Sequence, residues 1–578
     1  MLYICHPNNN TFAHKNSCLE WIYLGSKEGL ERTLQVLDST RRKYLGQDIE
    51  READLIRDNF IDFIGRVSLQ QKNKLLWYSS PVASKSVSQT TIFEQYVYLK
   101  ILENLSQENK EYLAIIDNAE LIHNLREMNI GVCEAEPFRS SKPRSCARHF
   151  KNAYVIAKYF IFYALSKILF GRDAIANADA IIYSPIKEGV FSNLPMYEDP
   201  YFGSLEAILL KSNFNVFRIM LLGESLKNIL KIKKYFKNVI SPYVFLTLSK
   251  LIKVITTKFV IAIDEGRISG IKDTKMLTYL LRNEERKEND SMHFREYLLY
   301  FYAFEGLNNV WNQDGAFIYL FENQPWEKMA NMAMKRRKMI GYQHVAIPIN
   351  WLDYTISVFE KEIPLPSVIL TTGDRWAAFL KKYYQHVTIE IAGTTRLSHL
   401  WANKTTRKTS DSKEIVLALP GYPTVSLTLQ RQILDILSDK QSYLHEYTIK
   451  VKPHPYLCKK DILFKDFRRF SNCQIVEKDF SQLLDSPAVV ICSCSTTVFD
   501  ALLSRCKTLY FIPEELSEGT EFFIREYLVI AYQSNFQDQL RSVLKMESIP
   551  TVDKNEYFSP PNYDVFLKYL RNKYYENN

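Results

Sequence analysis

Several familiar chemistries are missing from this chain. It contains no GxxxxGKS or GxxxxGKT phosphate loop, no GxGxxG, no GxSxG and no HExxH. Walker-type NTPases, fingerprint dinucleotide enzymes, nucleophile-elbow hydrolases and zincin proteases are thereby set aside. No Asp-x-Asp pair is present to hold a divalent metal against a diphosphate, so a site working without metal or cofactor is expected. The nine cysteines are odd in number, scattered and without a CxxC pair, which fits reduced thiols. Residues 1–10 lack a basic region followed by an apolar core, so no secretory leader is expected. A bilayer span needs about 20 predominantly apolar residues. The most apolar helical candidate, 147–170, is interrupted by Lys158 and Lys167 and reads as a buried or interfacial helix. No zinc finger, RRM signature or helix-turn-helix pattern accompanies the basic charge, which argues against nucleic acid. The expectation is a cytoplasmic protein, in contact at most with the inner face of the plasma membrane.

What is present is ordinary globular composition. The chain has 578 residues, 46% hydrophobic and 24% charged, enough for roughly two to four domains. Net charge is +9, from 74 Lys and Arg against 65 Asp and Glu. The excess is spread along the chain apart from Lys335-Arg-Arg-Lys338 and the basic-aromatic stretch 566–575. Such runs are either solvated helix faces or a means of attraction to an anionic membrane or glycan.

The C-terminal third carries the clearest pattern. Glu414 to Leu419, Tyr447 to Lys452, Cys473 to Glu477, Ala488 to Cys492 and Lys507 to Phe511 are short β-branched or apolar runs with gaps long enough for helices. This is the signature of βαβ units in a parallel sheet. In open sheets of this kind ligands bind outside the carboxyl ends of the strands. Those ends carry Pro420-Gly421, His454-Pro455, Glu477, Ser493 to Thr497, and Pro513-Glu514.

Thr497 and Asp500 have capping-box spacing, which puts a helix N-terminus directly after the Ser/Thr cluster. Free N–H groups, the helix dipole and hydroxyls together can hold a phosphate, although Ser495 to Thr497 would equally serve as a plain cap. Pro455 holds His454 extended, presenting its imidazole at a fixed angle above the strand, where it can donate to a leaving phosphate. Glu477 and Glu514 are placed to read ribose hydroxyls.

Lys452-Pro-His-Pro455 followed by Ser493-Cys-Ser-Thr-Thr497 resembles the His-Pro and Ser/Thr motifs of GT-B glycosyltransferases that use CMP-activated sugars: bacterial sialyltransferases, polysialyltransferases and Kdo transferases. Leu75-Leu-Trp-Tyr-Ser-Ser-Pro81, Asp199-Pro-Tyr-Phe-Gly203, Tyr319 to Glu327, Gly341-Tyr-Gln-His344 and Gly373-Asp-Arg-Trp376 extend the resemblance to surface-carbohydrate (O-antigen or capsule) biosynthesis proteins, over roughly residues 70 to 515. The resemblance implies an α/β, GT-B-like fold, with two doubly wound Rossmann-like domains facing a cleft and additional helices. It also implies a nucleotide-sugar donor, CMP-linked, and a glycan or lipid-linked glycan acceptor. Under it, Gly421, Lys452, His454, Pro455, Glu477, Ser493, Ser495, Thr496, Thr497 and Glu514 line the donor site.

For the base, Asp264-Glu-Gly266 matches the acidic motif from which such sialyltransferases draw theirs. The competitor is Glu322, at the end of the strand Phe317 to Phe321 and beside Trp326, with His344 one strand further on. If the donor is an α-keto acid sugar, Arg375 and Arg396 are candidates for its carboxylate. Residues 1–70 are expected to be a helical N-terminal extension and 71–400 an acceptor-side Rossmann-like domain with a helical insertion, starting from a strand at Lys74 to Tyr78. A linker at 401–413, a nucleotide-sugar-binding domain at 414–550 and a helical tail at 551–578 complete the division. Alternatives are a CDP-linked polyol-phosphate transferase, served by the same His-Pro and Ser/Thr elements, and a non-catalytic carbohydrate-assembly scaffold.

Overall fold

The computed structural model describes all residues except 8–17, 26–32, 134–143, 187–198, 223–224, 237, 269, 292, 313, 397–411, 456, 458–460, 486, 515–523, 548–551 and 572–578. Its described strands form three parallel sheets. The first joins β1 (Leu2–Cys5), β2 (Glu20–Leu24), β3 (Tyr112–Ile116) and β4 (Val132–Cys133) in the order β2-β3-β1-β4. The second contains β5 (Ala180–Tyr183), β6 (Val216–Ile219), β7 (Val239–Ile240), β8 (Ala316–Leu320), β9 (Lys338–Tyr342), β10 (Val368–Thr371) and β11 (Thr388–Ile391), in the order β11-β10-β9-β8-β5-β6-β7. The third contains β12 (Glu414–Ala418), β13 (Thr448–Lys452), β14 (Cys473–Ile475), β15 (Val489–Cys492), β16 (Thr508–Phe511) and β17 (Val529–Ala531), in the order β14-β13-β12-β15-β16-β17.

The second and third sheets grow outward from their first strand in one direction and from their fourth in the other. Each therefore has a switch point, between β5 and β8 and between β12 and β15. Their central strands are buried on both faces, which is why they read as continuous apolar runs. The carboxyl ends face each other across the molecule. Phe499, on the helix that follows β15, packs on Trp376, on the helix that follows β10, with ring centroids 6.3 Å apart. The α/β, GT-B-like class expected from the sequence is the one observed.

The tail closes this arrangement. Residues 554–571 cross back onto the second sheet, where Ser559 N donates to Thr372 O (2.7 Å) and Thr394 N to Ser559 O (2.8 Å). A Cβ at Gly393, whose φ is +73°, would stand 1.8 Å from Pro560 O, so only glycine admits this crossing.

Two expectations need correction. Residues 1–70 are not purely helical: β1 and β2 belong to the small first sheet, and the helix Gly46–Gln70 bridges it to the other two. It does so through Glu50 to Arg525 (2.9 Å) and through Asp62, which accepts from Ser357 Oγ (2.8 Å). Lys74–Tyr78 is a helix, because the Asn73 side chain accepts from Leu76 N and Ser80 caps the following turn ahead of Pro81. The apolar run Phe259 to Ile263, ahead of Asp264, is held by side chains: its backbone N–H groups at Phe259 and Ile261 donate to Asn289 and Glu285 of the helix Thr274–Asp290. The expected linker lies largely outside the described residues.

Candidate functional site

On the third sheet, the loop after β12 carries Gly421 directly ahead of the helix Pro423–Ser438, which begins with proline and has no side-chain cap. The His454 ring, from the end of β13, lies on Gly421: a Cβ there would meet Nδ1 at 3.2 Å. Two strand ends thus meet beside the switch point, at an uncapped helix N-terminus. Lys452 Nζ donates to the Glu477 carbonyl (3.0 Å), tying the ends of β13 and β14 together and leaving the Glu477 and Pro455 side chains exposed.

After β15 the chain turns through Cys494, held in the left-handed region at φ +44° by its N–H bond to Tyr510 OH (3.1 Å). A non-glycine residue in that conformation is uncommon and marks a turn fixed by its surroundings. Ser493 is fully buried. Helix Thr497–Leu503 starts where the sequence predicts, but the capping box does not form: Thr496 is the N-cap and makes no side-chain cap bond. Instead Thr497 N donates to Ser495 Oγ (3.3 Å), and Thr497 Oγ1 is buried with no hydrogen-bond partner among the described residues. Burial pushes the Asp500 carboxyl up to about 7, opposed by the Arg396 guanidinium from the end of β11. Arg396 thereby faces the third sheet's helix from the second sheet.

On the second sheet, Glu322 and His344 follow β8 and β9, with His344 Nε2 3.7 Å from Glu322 Oε1. His344 is buried and meets the edge of Tyr201 at 5.0 Å between centroids. Tyr201 is placed by Asp199, whose Oδ1 accepts from the N–H groups of Tyr201 (2.8 Å) and Phe202 (3.0 Å) and whose Oδ2 binds Arg218 (2.6 Å). The Asp199-Pro-Tyr-Phe-Gly203 motif is thus a knot, tied at the buried Asp199, that orients the histidine's neighbour.

The loop holding Glu322 is tightly fixed. Glu327 accepts from the N–H groups of Glu322 (2.9 Å), Asn323 (3.0 Å) and Gln324 (3.1 Å), and Asn323 sits at φ +56°. Lys328 Nζ donates to Ser84 Oγ and to Asn323 O, both at 2.6 Å. Burial and the neighbouring Lys85 push its ammonium down to about 7. Lys85 is itself paired with Glu360 (2.8 Å) in full burial. Sequence reasoning missed this network; its only trace was the Glu322-Asn-Gln-Pro-Trp-Glu327 string.

Three candidates are held in ion pairs. Asp264 is exposed and paired with Arg267 (3.3 Å), on a segment strapped to Gln70 rather than on a strand end. Arg375 pairs with Glu556 (3.0 Å) and so ties the tail to the helix that follows β10. Glu514 is paired with Arg42 and accepts from Leu45 N (2.6 Å), fastening the first sheet's unit to the third. A cleft between these two units is lined by Tyr23, Gly25, Arg42, Thr424, Thr428 and Arg431.

No protein-family model and no curated protein sequence matches the chain. Solved structures similar to it include the UDP-GlcNAc 2-epimerase of Methanocaldococcus jannaschii in complex with UDP-GlcNAc and UDP, at 9% identity and TM-score 0.40, covering 68% of this chain and 98% of that one. Acinetobacter baumannii MurG is similar at 10% identity and TM-score 0.35, covering 64% of this chain and 91% of that one. The UDP-forming α,α-trehalose-phosphate synthase of Burkholderia vietnamiensis is similar at 10% identity and TM-score 0.35, covering 68% and 93%. Likenesses this remote carry no argument about activity.

Proposed function

We propose that this chain is a glycosyltransferase of surface-polysaccharide biosynthesis that transfers a CMP-activated nonulosonate or Kdo-type sugar to a glycan acceptor without metal. The observation that carries the reading is the placement of two chemically distinct strand-end clusters on facing sheets. One holds the acid–histidine pair Glu322 and His344. The other holds His454 against Gly421 at an uncapped helix N-terminus, with the hydroxyls of Ser495, Thr496 and Thr497 one strand away.

In the proposed reaction an acceptor hydroxyl attacks the anomeric carbon. The new C–O bond forms as the bond from that carbon to the phosphate oxygen breaks, and the hydroxyl proton passes to the Glu322 carboxylate, with His344 beside it. The nucleotide leaves with the bonding pair, and His454, the hydroxyls and the helix N–H groups stabilise its growing charge. Arg396, at the cleft edge, is the cation available for a donor carboxylate.

The test is a thermal-shift series with CMP, CDP, UDP and GDP on the wild type and on His454→Ala. A ligand at 100 times its Kd stabilises the fold by about 2.7 kcal/mol. The reading expects CMP to shift the wild type and His454→Ala to lose the shift. A shift by CDP alone favours the polyol-phosphate chemistry, and no shift by any of the four overturns the donor site.

A further inference from the structure

We propose that the outer face of the helix Arg144–Leu169 docks this protein on an anionic lipid bilayer. Tyr154, Ile161 and Ile168 are 70%, 52% and 78% exposed. Their spacing of seven puts them on one side of the helix, and the exposed Ala157, Phe160 and Ala164 fill the stripe between them. The stripe runs for about 21 Å at 1.5 Å per residue. The opposite side is already packed: Phe162 lies on Tyr243 at 5.8 Å, and Ser166 Oγ meets Ser241 Oγ at 2.8 Å. The helix is therefore apolar on two faces, and among the described residues only one of them has a partner.

The charge around the stripe indicates what covers the other. Residues 144–172 contain six Lys and Arg and no Asp or Glu, and residues 225–263 contain eight Lys and again no acid. Lys233, set over the Phe170 ring at 5.2 Å, places the helix Leu226–Tyr235 beside the end of the long helix. The helix Leu248–Thr256 repeats the composition, with Leu248 and Ile252 half exposed beside Lys253; its Lys250 is paired with Glu305. An exposed apolar stripe bordered by lysines suits the boundary between acyl chains and acidic headgroups. A second copy of the chain suits it poorly, because two-fold pairing would set the same cations against each other. The basic run Lys335-Arg-Arg-Lys338 is not this surface: Arg337 stacks on Trp311 at 5.0 Å, and Lys338 reaches Tyr569 O. No described helix is long and apolar enough to cross a membrane, so the contact is one of lying on the surface.

The experiment is flotation of the full chain with vesicles of phosphatidylcholine alone and with about 30% phosphatidylglycerol, at low and high salt. The expected result is capture by the anionic vesicles, release by salt, and a fall in bound fraction of about tenfold in the double variant Ile161→Ser/Ile168→Ser. Both side chains are exposed, so the variant's melting temperature should match the wild type. No capture by anionic vesicles, capture indifferent to phosphatidylglycerol, or undiminished capture of the variant overturns the proposal. So does a wild-type dimer that the same variant dissolves without any vesicle binding.

Discussion

The two facing sheets build their strand ends in opposite ways. On the second sheet the Glu322 loop rests on buried ionisable groups: Glu327 takes three backbone N–H groups, Lys328 holds the loop from beneath, and Lys85 with Glu360 fixes the layer below. On the third sheet the ends of β12, β13 and β15 are made of glycine, hydroxyls, an imidazole and an uncapped helix N-terminus. A base must be held at one place before substrate arrives, which a low-dielectric network of hydrogen-bonded polar groups achieves. A site for a phosphate can leave N–H and O–H donors uncommitted, because the ligand supplies the negative charge.

The largest effect that would break this contrast is on stability. Lys85→Met leaves Glu360 buried without its cation and should lower the unfolding free energy by about 3–5 kcal/mol in urea denaturation. A loss under 1 kcal/mol, against that expectation of about 3–5, would mean the network is not the support described. Glu322→Gln should cut turnover by about 10²–10⁴-fold with the melting temperature unchanged; near wild-type initial rates would remove the base from the second sheet.

The network also predicts a pH dependence with a definite sign. An unfolded lysine keeps its proton up to about 10.5, whereas folded Lys328 releases it near about 7. Between those values the unfolded state binds more protons, so this group makes stability rise with pH; below the window both states are protonated and the contribution is flat. Relative to Lys328→Met, the wild type should gain up to about 1.4 kcal/mol per pH unit between pH 7 and 9. A flat difference between the two proteins across that range would show a lysine charged in the fold.

On the third sheet, Gly421→Ala presses on the His454 ring. It should weaken CMP binding about tenfold, or about 1.4 kcal/mol by titration calorimetry, with little change in unliganded stability. The smallest effect belongs to Arg375→Ala. Its half-exposed pair with Glu556 is worth at most about 1 kcal/mol, and donor KM should not move; a raised donor KM would return Arg375 to the site.

Much of the doubly wound pattern was legible because parallel strands buried on both faces leave unbroken apolar runs. Tyr112–Ile116, Ala180–Tyr183, β12, β15 and β16 were readable in this way, whereas β13 and β14 interleave polar residues and were readable from their β-branched residues and spacing. β6, β7 and β17 were not: Arg218 interrupts β6, and β7 and β17 are two and three residues long. Lys74–Tyr78 misled because a five-residue apolar run reads alike as strand or buried helix, and its flanking caps decide between them. Asp264 misled because a tripeptide match says nothing about whether the preceding run pairs as a strand.

By itself the sequence determined the chemistry at each strand end: His454 before a proline, hydroxyls at 495–497, an acid at 322 and a histidine at 344. These are local facts of residue type and of where an apolar run stops. Only the tertiary structure decided which of them meet. His454 lies on Gly421 and His344 near Glu322, while Arg375 and Glu514 are taken up by Glu556 and Arg42. The separations involved, up to hundreds of residues, are bridged by strand order and packing, and a single sequence carries no periodicity that encodes such a pairing.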